Sequence, residues 1–202
     1  MCVKYEVYLF SDEIHSDIIF SNHKHIPIAS LNQDIKELTF TLMAPSKTFN
    51  VAGLQGSFVI SPNKEKKKRL EKQLSNQGFG LLNTFAYVAM EATYQYGDEW
   101  LQQLISLLEL NYEHLESELL NNTEIKPIQP EGTYLVWLDF TKTGYSHKEI
   151  DKILKEEAKV GLNDGITFGQ VQGEQFMRIN IAAPTETVEE AVKRLVASFS
   201  RK

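Results

Sequence analysis

A long stretch of apolar residues at helical spacing, over residues 101–119, constrains this chain more than any other feature. Asp98 precedes the stretch as an N-terminal cap, and Asn121 and Asn122 follow it, so the pattern predicts one helix of about six turns. Its apolar positions are Leu101, Leu104, Ile105, Leu108, Tyr112, Leu115 and Leu119. Because a helix of that length typically bridges two layers or two domains, we expect a first part over residues 1–97 and a second over residues 98–202.

The residues before the long helix predict strands followed by helices. The predicted elements are strands over 3–10, 38–43 and 56–60, and helices over 61–78 and 83–96. Ser61 and Pro62 are typical of an N-cap and a first helical residue, and Gly78 is typical of a helix stop. Residues 21–33 are polar and too irregular for a prediction.

The residues after the long helix predict a smaller layer of two strands and two helices. The strands are predicted over 133–140 and 176–182. Two helix starts are indicated by the spacing of a capping box, one at Ser146 with Glu149 and one at Thr187 with Glu190. Strands interleaved with helices in this way are typical of the α/β or α+β class.

Composition and charge exclude several functions. The net charge of −6 disfavours a nucleic-acid partner, and no stretch approaches the roughly 18 apolar residues of a membrane span. The single cysteine, Cys2, excludes an internal disulfide and a zinc site built on thiolates. His23 and His25 have chelate spacing, but no further ligand follows at a standard interval, so no metal is expected. The N-terminus lacks the layout of a signal peptide, so a cytoplasmic location is expected.

Polar side chains follow the ends of two predicted strands, and an arginine lies inside a third. Asp12 and His15 come after the first strand, Lys47 after the second, and Arg178 within the strand over 176–182. Each residue alone is more often a turn or surface residue. Together they are informative, because open α/β sheets bind ligands at the carboxyl ends of their strands.

The lysine is the residue on which this interpretation depends. It lies close in sequence to Met43, Pro45 and Phe49, so we expect Lys47 to be partly desolvated, which would free its amine as a nucleophile. An amine, a carboxylate, an imidazole and a guanidinium from separate segments suit Schiff-base chemistry on an amino acid.

Five segments in register resemble one enzyme family, and they extend over essentially the whole chain. They are residues 11–17, 44–54, 130–139, 161–169 and 177–184. The family is the fold-type I pyridoxal-phosphate enzymes of the aminotransferase class, and within it the chain most resembles the cystathionine β-lyase branch with its MalY- and PatB-like C–S lyases. The resemblance implies the C-terminal part of the large domain followed by the small α+β domain.

The resemblance implies a role for five residues. Lys47 would hold the cofactor, pyridoxal 5′-phosphate, and move the proton of the substrate α-carbon. Asp12 would face the pyridine nitrogen, and His15 stands where many relatives have a tyrosine that bonds the phenolic oxygen. Ser46 would donate to the phosphate, and Arg178 would bind the substrate α-carboxylate.

The implied activity is β-elimination from cystathionine or a cysteine conjugate. Two departures keep alternatives open. Gln55 stands where many relatives have a phosphate-binding arginine, which favours the lyase over an aminotransferase.

Family members are much longer, so the chain matches their C-terminal half and is a fragment, a truncated gene product or half of a complex. Three alternatives are therefore open: the chain forms a homodimer, it pairs with a separately encoded N-terminal half, or it is a non-catalytic module. Residues 163–165 are expected to form a turn near the site.

Overall fold

The computed structural model describes residues 1–200, and the chain forms two compact units. Unit 1 is Met1–Gln102, and unit 2 begins at Gln103. The sequence-based boundary lies between residues 97 and 98, where the long helix begins, whereas this division falls within the first turns of that helix. Each unit has its own sheet and helices, so the mixed α/β class expected from the sequence is confirmed.

Unit 1 is built on a three-stranded sheet. Its elements in chain order are α1 (Cys2–Tyr5), β1 (Leu9–Asp12), α2 (Gln33–Leu38), β2 (Thr39–Met43), β3 (Phe58–Ile60), α3 (Lys64–Asn76) and α4 (Thr84–Tyr96). Strand β2 lies in the centre, parallel to β1 and antiparallel to β3. Because β1 and β2 run in the same direction, the loops that follow them leave from the same edge of the sheet.

The first predicted strand is wrong over its N-terminal half. Instead of a strand from residue 3, the chain forms the short helix α1, and β1 is confined to Leu9–Asp12. Glu6 ends α1 in the left-handed conformation, with φ of 50°, and its backbone N–H donates to the carbonyls of the first turn. Val3 and Tyr5 are 42% and 61% exposed, so their alternation with charged residues does not reflect a half-buried strand.

Asparagines cap three helices of unit 1. The side chains of Asn32, Asn63 and Asn83 each accept a hydrogen bond from the backbone N–H three residues on, at 2.9–3.0 Å. The predicted cap at Ser61 is therefore wrong, because α3 begins after Asn63. The predicted stop at Gly78 is confirmed, since this residue has a φ of 77° just beyond the end of α3.

Unit 2 is a four-stranded antiparallel sheet with helices packed on it. Its elements are most of α5 (Asp98–Asn122), then β4 (Lys126–Pro127), β5 (Leu135–Asp139), α6 (His147–Ile153), β6 (Asn163–Asp164), β7 (Phe176–Asn180) and α7 (Thr185–Phe199). The strand order is β4-β5-β7-β6. Its core consists of fully buried apolar side chains, among them Leu108, Leu115, Leu119, Val136, Leu138, Phe140, Ile150, Met177, Ile181, Val192 and Leu195.

The predicted long helix is confirmed over Asp98–Asn122, with Asp98 as its first residue and not as the cap before it, and the C-terminal part of its predicted apolar face is buried. Leu108, Leu115 and Leu119 lie within the core, as their spacing predicts. The same face also buries Asn111, whose amide Nδ2 donates to the carbonyls of Ile181 at 2.9 Å and Ala183 at 3.1 Å. This polar residue on an apolar face fixes α5 to the chain that follows β7.

One of the two predicted capping boxes exists. The Ser146 side chain and the Glu149 side chain each bond the other's backbone N–H, so α6 begins as predicted. The box at Thr187 is wrong, because α7 begins at Thr185 directly after Pro184 and Thr187 already lies in the first turn. None of the helices within residues 1–200 combines the length and apolar character needed to cross a bilayer.

Candidate active site

The parallel pairing of β1 and β2 brings two of the predicted site residues to one edge of the sheet. Asp12 is the last residue of β1 and pairs in register with Leu42, while the backbone N–H of Glu13 donates to the Leu42 carbonyl at 3.0 Å. Lys47 follows four residues after β2 ends at Met43. The carboxylate and the amine therefore belong to adjacent loops at the carboxyl edge of unit 1.

The Asp12 carboxylate is largely available for a further contact. The residue is exposed, and its Oδ1 accepts one hydrogen bond, from the backbone N–H of Ile14 at 3.2 Å. Among residues 1–200, Oδ2 has no hydrogen-bond partner. This local bond orients the carboxyl group at the strand end and leaves one oxygen for a partner outside the described chain.

The Lys47 side chain is exposed, and its amine makes no hydrogen bond or ion pair with any residue that the structure describes. The expectation that Met43, Pro45 and Phe49 would desolvate it is therefore wrong for this chain. The ring of Phe49 packs edge-on against Tyr94, with centroids 6.1 Å apart, and Pro45 is itself buried. These neighbours fill the interior of unit 1 but do not cover the lysine.

The turn that carries Lys47 is fixed from two sides. Thr48 is fully buried, and its hydroxyl donates to Oδ2 of Asp17 at 2.9 Å, which joins the loop after β2 to the loop after β1. The indole N–H of Trp100 donates to the Thr48 carbonyl at 3.2 Å. Sequence reasoning missed Asp17, Thr48 and Trp100, although the first two lie inside the segments that resemble the family.

His15 and Ser46 lie on the same two loops. Both are half-buried, and each backbone carbonyl accepts a hydrogen bond within its own loop, from Ile18 at 3.1 Å and from Val51 at 3.1 Å. Four of the five predicted residues are thus grouped at one edge of unit 1. Their individual roles remain predictions.

A buried carboxylate that the sequence did not single out lies beside Asp12. Glu13 accepts hydrogen bonds from the Ser11 hydroxyl at 2.8 Å and the Ile28 backbone N–H at 3.2 Å, and its Oε2 lies 2.8 Å from Nε2 of His25. Burial alone would raise the pKa of Glu13, but the hydrogen bonds from His25, Ser11 and Ile28 together lower it below its ordinary value. Glu13 therefore stays charged and holds the 25–28 segment against the strand that presents Asp12.

Gln55 ends the 3-10 turn Ala52–Leu54 in the left-handed conformation, with φ of 55°. Its side chain is exposed on the segment that follows the Lys47 turn. The residue therefore presents an exposed amide there, and its relation to a phosphate stays a prediction.

Arg178 belongs to unit 2, where an aromatic ring and an amide hold its guanidinium. Within β7 the residue is half-buried, and its Cζ lies 4.4 Å from the ring centroid of Phe168. Its Nη2 donates to Oδ1 of Asn163 at 3.2 Å, and Trp137 packs edge-on against Phe168 with centroids 5.3 Å apart. Burial raises the pKa of Tyr134, and the nearby positive charge of Arg178 opposes that rise.

One buried nitrogen of the guanidinium has no partner in the described chain. Its Nε is buried and has no hydrogen-bond partner among residues 1–200. A buried charged donor without an acceptor is costly, so this atom indicates a site whose acceptor comes from outside the described chain. The donor set of Arg178 therefore fits a carboxylate, whose two oxygens match a guanidinium.

The predicted turn at residues 163–165 is in part a strand. Asn163 and Asp164 form β6, which pairs antiparallel with β7 so that Asn163 lies opposite Arg178. Gly165 then approaches Gly173 so closely that a Cβ added to either glycine would overlap the carbonyl oxygen of the other. Sequence reasoning assigned no role to Asn163 or Phe168, although both lie in the resembling segments.

The family of this chain follows from a match over nearly its whole length. The model of the family aminotransferase class I and II matches residues 1–195, so the chain belongs to that family. The structural neighbours are large relatives of the same fold, and the expected fold-type I architecture is confirmed.

Particular relatives narrow the comparison. The chain is 39% identical over 201 residues to the cystathionine beta-lyase PatB of Bacillus subtilis, a match that covers 99% of this chain and 52% of PatB. Cystalysin of Treponema denticola, solved with a pyridoxal 5′-phosphate cofactor, superposes with a TM-score of 0.92 at 33% identity, over 98% of this chain and 50% of cystalysin. A PLP-bound protein of Clostridium difficile 630 with a provisional aminotransferase name superposes with a TM-score of 0.92 at 42% identity, over 98% and 51%.

Two features of these matches matter for function. Curated relatives named as aminotransferases match at lower identity than PatB, between 26% and 29%. The chain spans about half the length of the curated relatives it matches.

Proposed function

We propose that this chain supplies the lysine and the carboxylate-binding arginine of a pyridoxal-phosphate-dependent C–S β-lyase. The reaction would be β-elimination from cystathionine or a cysteine conjugate, giving pyruvate, ammonia and a thiol. The observation that carries the proposal is the position of Asp12 and Lys47 on adjacent loops at one sheet edge, in a chain 39% identical to a cystathionine beta-lyase. The likeness to PLP-bound structures supports the same cofactor.

The residues present fit pyridoxal phosphate. Lys47 offers an amine without a partner among residues 1–200 and would hold the cofactor covalently, while the free oxygen of Asp12 would face its ring nitrogen. His15 and Ser46 would bond its phenolic oxygen and its phosphate. When bound, pyridoxal phosphate supplies an electron-accepting ring that stabilises negative charge at the substrate α-carbon.

The chain's own residues would then divide the work between binding and proton transfer. Arg178 would bind the α-carboxylate of the amino-acid substrate and so fix the orientation of its α-carbon. Lys47, as a free amine, would remove the α-proton, and the same group in its protonated form would return a proton. Asp12, as an anion, would keep its ring partner protonated.

An aminotransferase is the second candidate, and the C. difficile neighbour favours it. Both activities need the same lysine, carboxylate and arginine, so these residues do not separate them. Gln55, in place of an arginine, favours the lyase. Release of pyruvate from cystathionine would support the lyase, whereas amino transfer that depends on an added keto acid would support the aminotransferase.

We also propose that unit 1 is completed by protein outside this chain, either a separately encoded N-terminal half or a second subunit. Much of its surface is apolar: exposed large side chains include Tyr5, Tyr8, Phe10, Phe79, Leu81, Phe85, Tyr96 and Trp100. Exposed large apolar side chains in this number support an interface on unit 1. A cofactor-free chain that folds as a monomer and does not recruit such a partner would support a non-catalytic module instead. A cytoplasmic location remains our expectation.

The test adds the cofactor to the 202-residue chain, alone and mixed with the N-terminal half of PatB, and records the absorption spectrum. We expect a band at the edge of the visible range, together with pyruvate release from cystathionine, in the mixture. Lys47→Ala should abolish both, whereas Lys24→Ala, at an exposed lysine of the same unit, should retain both. No band in the wild-type mixture, or a band that survives in Lys47→Ala, would contradict the proposal.

A further inference from the structure

We propose that His147 is a positioning residue for Arg178. His147 would act on the arginine through Asp164 and Asn163. The inference rests on the proposed function only in assigning Arg178 to a carboxylate. It concerns residues of unit 2 alone, and its test does not depend on Lys47.

His147 first fixes the chain that enters β7. It is the first residue of α6, its side chain is 12% exposed, and its Nδ1 accepts a hydrogen bond from the backbone N–H of Gln175 at 3.1 Å. Gln175 is in the left-handed conformation, with φ of 63°, which is unfavourable for a residue with a side chain. The side-chain amide of Gln175 also donates to the Tyr145 carbonyl at 2.7 Å, and the Gln175 backbone carbonyl accepts from the backbone N–H of Phe140 at 2.9 Å. Three bonds therefore hold this corner, three residues before Arg178.

The second nitrogen of His147 faces β6. Nε2 lies 3.1 Å from Oδ1 of Asp164, although the two atoms are not aligned as a hydrogen bond. Because Nδ1 accepts a hydrogen bond, the proton of the neutral ring lies on Nε2, so the polar N–H edge of the ring lies beside a carboxylate. Asp164 also accepts from the backbone N–H of Ile166 at 3.0 Å, which fixes its rotamer.

Asp164 transmits this contact to the arginine. It forms β6 with Asn163, and a two-residue strand has few backbone bonds to hold it on β7. Asn163 lies opposite Arg178 in this pairing and accepts from Nη2 at 3.2 Å. His147 therefore clamps the start of β7 and the end of β6, the two segments between which the guanidinium is oriented. A guanidinium that is already oriented loses less conformational entropy when a carboxylate binds.

The experiment titrates the 202-residue chain with acetate and follows the Arg178 Nε–H signal by ¹⁵N NMR. Only four arginines are present, and Arg178→Lys assigns the signal. His147→Asn keeps an acceptor for Gln175 but no longer reaches Asp164, and we expect it to weaken acetate binding roughly fivefold. His147→Gln keeps a donor for Asp164 and should stay within about twofold of the wild type. His114→Asn, on α5, is the matched control and should leave acetate affinity unchanged.

Two further outcomes separate positioning from mere stability. Combining His147→Asn with Asp164→Asn should weaken acetate binding no more than either change alone, because both break the same contact. A purely structural role would make acetate affinity follow the melting temperature in all variants, and that result would overturn the proposal. So would equal affinity in His147→Asn and the wild type, or a wild-type Nε–H signal that does not respond to acetate. None of these results depends on the absorption band that the cofactor forms with Lys47. This inference and the proposed function can therefore fail independently of each other.

Discussion

The two units of this chain bury their apolar residues to very different extents. Among residues 1–200, five apolar side chains of unit 1 are buried, against eighteen in unit 2. The exposed large apolar side chains show the reverse, with nineteen in unit 1 and six in unit 2. Unit 2 thus has the core of an ordinary small domain, whereas unit 1 buries mainly its central strand β2 and exposes apolar side chains of the edge strands β1 and β3. The Lys47 amine and the Asp12 carboxylate lie in the unit with the smaller core, and Arg178 lies in the unit with the larger one.

Hydrogen exchange on the intact chain should give the largest contrast between the units. We expect amides of β5 and β7 to exchange at least about a thousandfold more slowly than those of β1–β3, because local stability follows buried apolar contact. Exchange measured by mass spectrometry on peptides from each strand would check this. Similar protection in both sheets would break the comparison.

Truncation of the unit 2 core should have the next largest effect. Leu115 is fully buried in α5, so Leu115→Ala should lower the free energy of unfolding by about 3 kcal/mol. Leu110→Ala, at a position of the same helix that is 60% exposed, is the control and should change it by less than about 0.5 kcal/mol. Urea denaturation would measure both. Equal costs at the two positions would mean that α5 does not pack as described.

The capping boxes allow a smaller test within unit 2. Ser146→Ala removes the formed box of α6 and should cost about 1 kcal/mol. Thr187→Ala removes a pattern that the structure does not use as a cap and should cost less than about 0.5 kcal/mol. Thermal denaturation of the two variants side by side would check the contrast. A larger loss at Thr187 would place the start of α7 elsewhere.

The smallest effect should be the pH dependence that Glu13 confers on unit 1. Because the pKa of Glu13 in the folded chain is below its ordinary value of 4.5, its carboxylate stabilises the unit above that pH. This contribution should be lost as the pH falls through the lowered pKa. Glu13→Gln should flatten the loss of exchange protection in β1 and β2 below pH 5, whereas Glu91→Gln, on the exposed face of α4, should not. An unchanged acid profile in Glu13→Gln would contradict the account of the buried carboxylate.

What the sequence could predict depended on how local the signal was. The long helix, the α6 cap and the two strands of unit 2 were predictable because their spacing reports directly on a buried face or a cap. The strand predicted over residues 3–10 was wrong in its N-terminal half, because alternation of apolar and charged residues indicates a strand only where one face of the strand is covered. The Thr187 box failed because Pro184 sets an earlier start for α7.

The candidate site divides in the same way. The common edge for Asp12 and Lys47 follows from two adjacent parallel strands, a relation that strand ends in the sequence suggest. The clamp of Thr48 on Asp17 joins residues 31 apart, and the contact of Asn163 with Arg178 joins residues 15 apart. No spacing rule reports such pairs, and only the folded sheet brings them together.

The close approach of Gly165 and Gly173 has a consequence for how this protein can change over generations. Any other amino acid at either position would push the two backbones apart, and β6 would carry its amide away from the arginine. We therefore expect substitutions to be tolerated at exposed neighbours such as Val171. We expect them to be rejected at Gly165 and Gly173, although neither glycine contributes a functional group of its own. In a diverged copy, replacement of either glycine would mark the loss of carboxylate binding before Arg178 itself was altered.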